Sequence, residues 1–117
     1  MEDKLAEMND AVNHPSHYTD GKIEVLDQIG EAAALEQTAE ECAELAHACL
    51  KMARKFRAEN PTPVAEVWIS ASIHEEVADL MNCMDMLFRM PWVNAEKIRS
   101  IKEEKMKRWH ERVFAGR

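Results

Sequence analysis

The chain has 117 residues, of which 46% are hydrophobic and 32% charged, the make-up of one globular domain rather than a disordered segment. Three Gly and seven aromatic residues leave too few turns and β-formers for a sandwich or barrel. The net charge of −7 is uneven: residues 91–117 hold eight Lys/Arg against four Asp/Glu (+4), residues 1–90 seven against eighteen (−11), and such an acidic body excludes nucleic acid as a partner.

Residues 1–22 are polar, and Pro15 and Gly21 predict a loop with at most a short helix before it. This arm precedes an all-α domain over 23–117. Helix formers dominate from Lys22 to about Glu59. Leu35, Ala39, Cys42, Leu45, Ala46, Cys49, Met52, Ala53 and Phe56 repeat there with helical spacing. Gly30 marks a bend or a break. Asn60-Pro61-Thr62-Pro63 ends the run.

A second helix is predicted from about Val64 to Met90, with Ile69, Ile73, Val77, Leu80, Met84, Leu87 and Phe88 as its apolar face and Pro91 as its stop. A third is predicted from Asn94, a suitable cap, to about Val113. Its stripe is Ile98, Ile101, Trp109 and Val113, interrupted by Lys105. The expected fold is all-α: an antiparallel hairpin of two long helices with the third packing beside it. Three such helices enclose too little core for a deep site. The expected assembly is therefore a homodimer or homotetramer resembling a four-helix bundle.

Cys42, Cys49 and Cys83 have no CxxC spacing and sit among apolar neighbours, which predicts buried free thiols. No run of about 18 apolar residues exists, so no membrane partner is expected. Met1-Glu2-Asp3-Lys4 lacks the basic and apolar regions of a secretion signal. The expected location is cytoplasmic. Trp68, Trp92 and Trp109 are expected to pack between helices or subunits, although a base stacking on Trp68 or Trp92 is the other use of such a ring.

Two acidic clusters carry the chemistry: Glu40-Glu41-Cys42-Ala43-Glu44 and Glu75-Glu76-Val77-Ala78-Asp79. Residues three apart share a helix face, so Glu41 projects with Glu44, and Glu76 with Asp79. An antiparallel hairpin brings these four carboxylates toward one point. Like charges so placed repel unless protons or a cation compensate, and hard divalent cations take oxygen ligands. The pattern predicts a Mg²⁺ or Mn²⁺ site open to a phosphorylated ligand. One Glu-Glu-x-x-Glu alone is an ordinary solvated helix face; two matched copies across a helix turnaround are not.

These motifs resemble those of the all-α nucleoside triphosphate pyrophosphohydrolases, the MazG-like and dimeric dUTPase-like group. The family's signature is Glu-Glu-x-x-Glu on one helix and Glu-x-x-Asp on the next. Leu80-Met81-Asn82-Cys83-Met84-Asp85-Met86-Leu87 is also similar to the apolar run after that Asp. The resemblance spans roughly residues 33–110. It implies Mg²⁺-dependent hydrolysis of a (d)NTP to the monophosphate and pyrophosphate, by an oligomer of helical hairpins. It implies Glu41, Glu44, Glu76 and Asp79 as metal ligands. Glu40, with Glu41, is implied as the catalytic carboxylate that orients or deprotonates water. The family's basic stretch Lys-x-x-Lys-Asn-x-x-Arg maps onto Lys102, Lys105 and Arg108 as substrate contacts, with Met106 where the pattern has Asn.

Asn13-His14-Pro15-Ser16-His17-Tyr18, followed by Gly21-Lys22-Ile23-Glu24, resembles the start of small phage-encoded proteins, which implies a phage or prophage origin. The segment reads as an arm packed on a neighbour. Glu44-Leu45-Ala46-His47 has the Glu-x-x-His form of di-iron bundles, but those need a second copy, so His47 reads as a surface or supporting residue. The alternative function is a non-catalytic helical phage protein that binds a nucleotide or another protein.

Overall fold

A computed structural model of the chain describes residues 16–58 and 65–116. Residues 1–15, with His14 and Pro15, and the Asn60–Pro63 stop lie outside them. The described residues form four helices and no strand: α1 (Ser16–Ile29), α2 (Glu31–Arg57), α3 (Glu66–Leu87) and α4 (Ala95–Phe114).

Gly21 does not break α1, which runs through it and across the expected boundary at residue 22. A glycine inside a helix weakens it by about 1 kcal/mol but does not forbid it. The break comes at Gly30. Its N–H closes α1 on the Leu26 carbonyl at 2.8 Å, and its carbonyl opens α2 by accepting from Ala34 N at 3.1 Å. One residue serves both helices because its backbone takes φ 87° and ψ 165°, a region essentially reserved for glycine.

α2 carries Glu31 in its first turn and Arg54, Lys55 and Arg57 in its last, charges that complement the helix dipole. It ends with Ala58 in the left-handed region (φ 54°), whose N–H bonds the Lys55 carbonyl. α3 then runs back along α2. Thr38 lies against Cys83, Glu41 and Glu44 against Glu76, and Ala48 and Lys51 beside Trp68 and Ile69. Positions rise along α2 as they fall along α3, so the hairpin is antiparallel.

The seam is thin. Its buried residues are Ala34, Ala48, Ile69, Cys83, Met86 and Met90, with one acid, Glu41, among them. Small side chains let the two backbones approach. α1 packs across both hairpin helices and is tied to α3 by the Lys22–Asp85 ion pair.

Three expectations are corrected here. The helix that packs beside the hairpin is α1; α4 packs against no other described helix, and all its residues are exposed. Of the three free thiols only Cys83 is buried; Cys42 and Cys49 are exposed, because the seam runs along Ala34, Glu41 and Ala48, to one side of the predicted stripe. Trp68, Trp92 and Trp109 are all exposed, so of the expected packing between helices or subunits it is the packing between helices of the chain that is corrected.

No described helix is long and apolar enough to cross a membrane.

The Gly30→Ala substitution meets no neighbouring atom, so its effect isolates backbone strain. Urea unfolding of this variant is expected to show a loss of about 1–3 kcal/mol.

Candidate metal centre

The two hairpin helices bring three carboxylates together. An oxygen from each of Glu41, Glu44 and Glu76 lies within 4.8 Å of the others. The i, i+3 spacing places Glu41 and Glu44 on one face of α2, and the antiparallel crossing sets Glu76 of α3 opposite both. Glu41 is only 9% exposed, Glu76 half-buried and Glu44 exposed, so the cluster opens to solvent on the Glu44 side.

The buried oxygens are incompletely satisfied. Gln37 Nε2, one turn back on α2, donates to Glu41 Oε1 at 2.8 Å. Glu41 Oε2 and Glu76 Oε2 are buried with no hydrogen-bond partner. A buried acceptor without a partner is costly, and a carboxylate more so. Two such oxygens facing one cluster form a donor set that fits a hard cation.

The Glu76 carboxyl registers the crowding. Its hydrogen bond to the Glu44 carboxyl, loss of solvent, and the charges of Glu44 and Glu41 push it up to about 7. A neighbouring thiol responds as well. Burial pushes Cys83 up, the charges of Glu41 and Asp79 add to this, and the Thr38 hydroxyl opposes it. Thr38 itself donates to the Ala34 carbonyl at 2.8 Å. Cys83 is thus a buried thiol whose thiolate form is disfavoured.

The other expected site residues are more dispersed. Asp79 lies one turn along α3 from Glu76, is exposed, and is not part of the three-oxygen cluster. Glu40 is exposed beside Glu41. Lys102, Lys105 and Arg108 line an open groove along α4 and do not approach the carboxylates within the chain, because α4 packs against no other described helix. Arg108 pairs with Glu104 at 3.6 Å, an exposed i, i+4 contact of small energetic weight.

A cavity of about 290 Å³ adjoins the cluster, lined by Glu44, His47, Lys51, Trp68, Ser72 and Glu76 among others. That volume is at the small end of ligand pockets. Lys51 and Ser72 were not legible as site residues from the motifs. The available signal was spacing: Lys51 follows Glu44 by seven and Ser72 precedes Glu76 by four, each on the face of its acid. His47 stands beside the cluster rather than inside it, as a supporting residue does.

The chain matches no family model, no curated protein and no solved structure.

The raised Glu76 carboxyl makes stability pH-dependent. Below pH 4.5, Glu76 is protonated in the folded chain and largely so in the unfolded one, and its contribution is intact. As pH rises toward about 7 the unfolded chain releases this proton more readily, so folding stability falls. The melting temperature of EDTA-treated protein is therefore expected to decline across this interval. Glu76→Gln should flatten the decline, as followed by circular dichroism.

Proposed function

We propose that this chain is a cytosolic, Mg²⁺-dependent nucleoside triphosphate pyrophosphohydrolase that converts a (d)NTP and water to the monophosphate and pyrophosphate. The supporting observation is the Glu41–Glu44–Glu76 cluster, whose two buried, unpartnered oxygens fit a divalent cation beside a cavity with a cation and a large aromatic ring.

In this reading Glu41, Glu44 and Glu76 hold the cation, and Asp79 joins them through its place one turn further along α3. Mg²⁺ supplies charge neutralisation for the triphosphate and for the charge that develops as it is cleaved. Glu40, exposed beside Glu41, orients the attacking water and takes its proton. That water attacks the α-phosphorus. The bond from the α-phosphorus to the bridging oxygen breaks, and pyrophosphate leaves. Lys51 meets phosphate oxygens, and the exposed Trp68 ring offers a face for the base. Lys102, Lys105 and Arg108 join the site only where α4 reaches it from another copy. The Asn-His-Pro-Ser-His-Tyr segment fits a phage or prophage origin, where nucleotide pools are remodelled during infection.

Incubating each canonical NTP and dNTP with Mg²⁺ or Mn²⁺, and separating products by ion exchange, tests this. Monophosphate and pyrophosphate in equal amounts are expected. Their loss by about 100-fold or more is expected in Glu41→Gln, the scale of removing a charged catalytic interaction. No product from any nucleotide overturns the reaction.

Metal binding has its own readout. Mg²⁺ is expected to raise the melting temperature of the parent chain through selective binding to the folded state. Glu41→Gln and Glu76→Gln are expected to lose that increment. An unchanged melting temperature in the parent counts against the metal site.

A further inference from the structure

α1 is held on the hairpin by little. Of its described side chains, residues 21–29, none is buried, and only Lys22 and Leu26 are half-buried. These stand four apart and Gly30 follows by four more, so one narrow line of the helix faces its neighbours. Ile23, Val25 and Ile29 stay exposed. Buried apolar area is what makes a segment costly to open, and here there is little of it. Two fixings remain. One is the Lys22–Asp85 ion pair to α3. The other is Gly30, the single residue between α1 and α2, whose φ of 87° glycine takes without strain. A Cβ placed there meets no atom within 4 Å, so the joint has room to turn.

Beneath this helix lies a well-sealed end of the seam. α1 joins α2 at Gly30, whose carbonyl accepts from Ala34 N, and reaches α3 at Asp85, between Cys83 and Met86 in sequence. Ala34, Cys83 and Met86 are all buried. α1 packs on both α2 and α3, and so spans the pair at this end. The same end adjoins the carboxylates. Thr38 lies against Cys83, and Gln37 Nε2 donates to Glu41.

We propose that α1 is a hinged strap: it pivots at Gly30, is latched by Lys22 on Asp85, and in swinging away unseals the Ala34–Cys83–Met86 end of the hairpin. The opening is local, because Ala48 and Ile69 still hold α2 against α3 beyond the carboxylates. The latch is electrostatic and partly exposed, so salt loosens it. The strap also regulates the cation site. A seam relaxed beside Glu41 holds that carboxylate less firmly, and a bound cation in return favours the closed strap by the same factor. This regulatory role rests on the metal reading; the strap itself does not.

Cys83, the one buried thiol of three, is a built-in reporter. With Cys42→Ala and Cys49→Ala removing the exposed pair, iodoacetamide reaches Cys83 only through opening, and its rate measures the open fraction. In EDTA without nucleotide, Cys83 is expected to react at least about tenfold more slowly than in the urea-unfolded chain. Asp85→Asn and Lys22→Met are each expected to speed the reaction about fivefold. They change the charge near the thiol in opposite directions, so a direct effect on its reactivity would move the two rates apart. Exchanging the pair, Lys22→Asp with Asp85→Lys, should restore protection. Sodium chloride at about 0.5 M should speed the parent and not Asp85→Asn. In both single variants hydrogen exchange should rise at α1 amides and stay unchanged in α2 and α3. Unchanged labelling in both, opposite effects in the two, or exchange rising throughout α2 and α3 each overturns the strap. Mg²⁺ is then expected to slow labelling in the parent. No slowing overturns the regulatory role, while the melting-temperature response to Mg²⁺ reports separately on the cation.

Discussion

Mutual repulsion among Glu41, Glu44 and Glu76 is the constraint around which the hairpin is organised. Three acids with oxygens within 4.8 Å of one another oppose the close approach of the helices that carry them. The seam nevertheless closes on apolar residues above and below, Ala34 and Cys83 on one side of the cluster and Ala48 and Ile69 on the other. Gln37 donates a hydrogen bond to one Glu41 oxygen, and the crowding raises the Glu76 carboxyl, so that it gives up its proton less readily than a free one. A divalent cation bound there, as proposed, would take the place of the proton and the missing donors together, and would couple ligand binding to folding at one point.

The thin core follows from the same arrangement. Among the described residues no large side chain is fully buried, and the seam is lined by Ala, Cys, Ile and Met. Such a seam brings backbones close and holds carboxylates in register, but it buries little apolar area. α1 adds cover across both helices, secured by Lys22 and Asp85. The remaining apolar side chains stay on the surface as two flanks and a detached helix.

Much of the fold was legible because the signals were local. Proline, a glycine and an asparagine cap placed the ends of α2, α3 and α4 to within a few residues. The Glu-Glu-x-x-acid pairs placed three of the four expected carboxylates together, since helix spacing and an antiparallel turnaround leave few options. What failed was directional. Periodicity names an apolar stripe but not which edge of it meets a neighbour, so Cys42 and Cys49 were expected inside and lie outside. Gly21 carries a propensity penalty that the packing of α1 overrides. α4 packs against no other described helix, and no spacing within its own sequence announces that. Lys51, Ser72 and the cavity arise from two helices converging, which neither helix announces alone.

The short connection from α3 to α4 sets how the last helix points. Phe88, Arg89 and Met90 continue α3 through bonds to the carbonyls of Met84, Met86 and Leu87, and Val93 N–H returns to Met90. Met90, only 2% exposed, pins this turn into the hairpin. α4 is thus a lever with a buried fulcrum. Over its length of about 30 Å, a tilt of about 10° at Met90 carries the far end through about 5 Å. A slight repacking of this one methionine would therefore be read out at the far end of α4 as a shift of about one helical turn's rise.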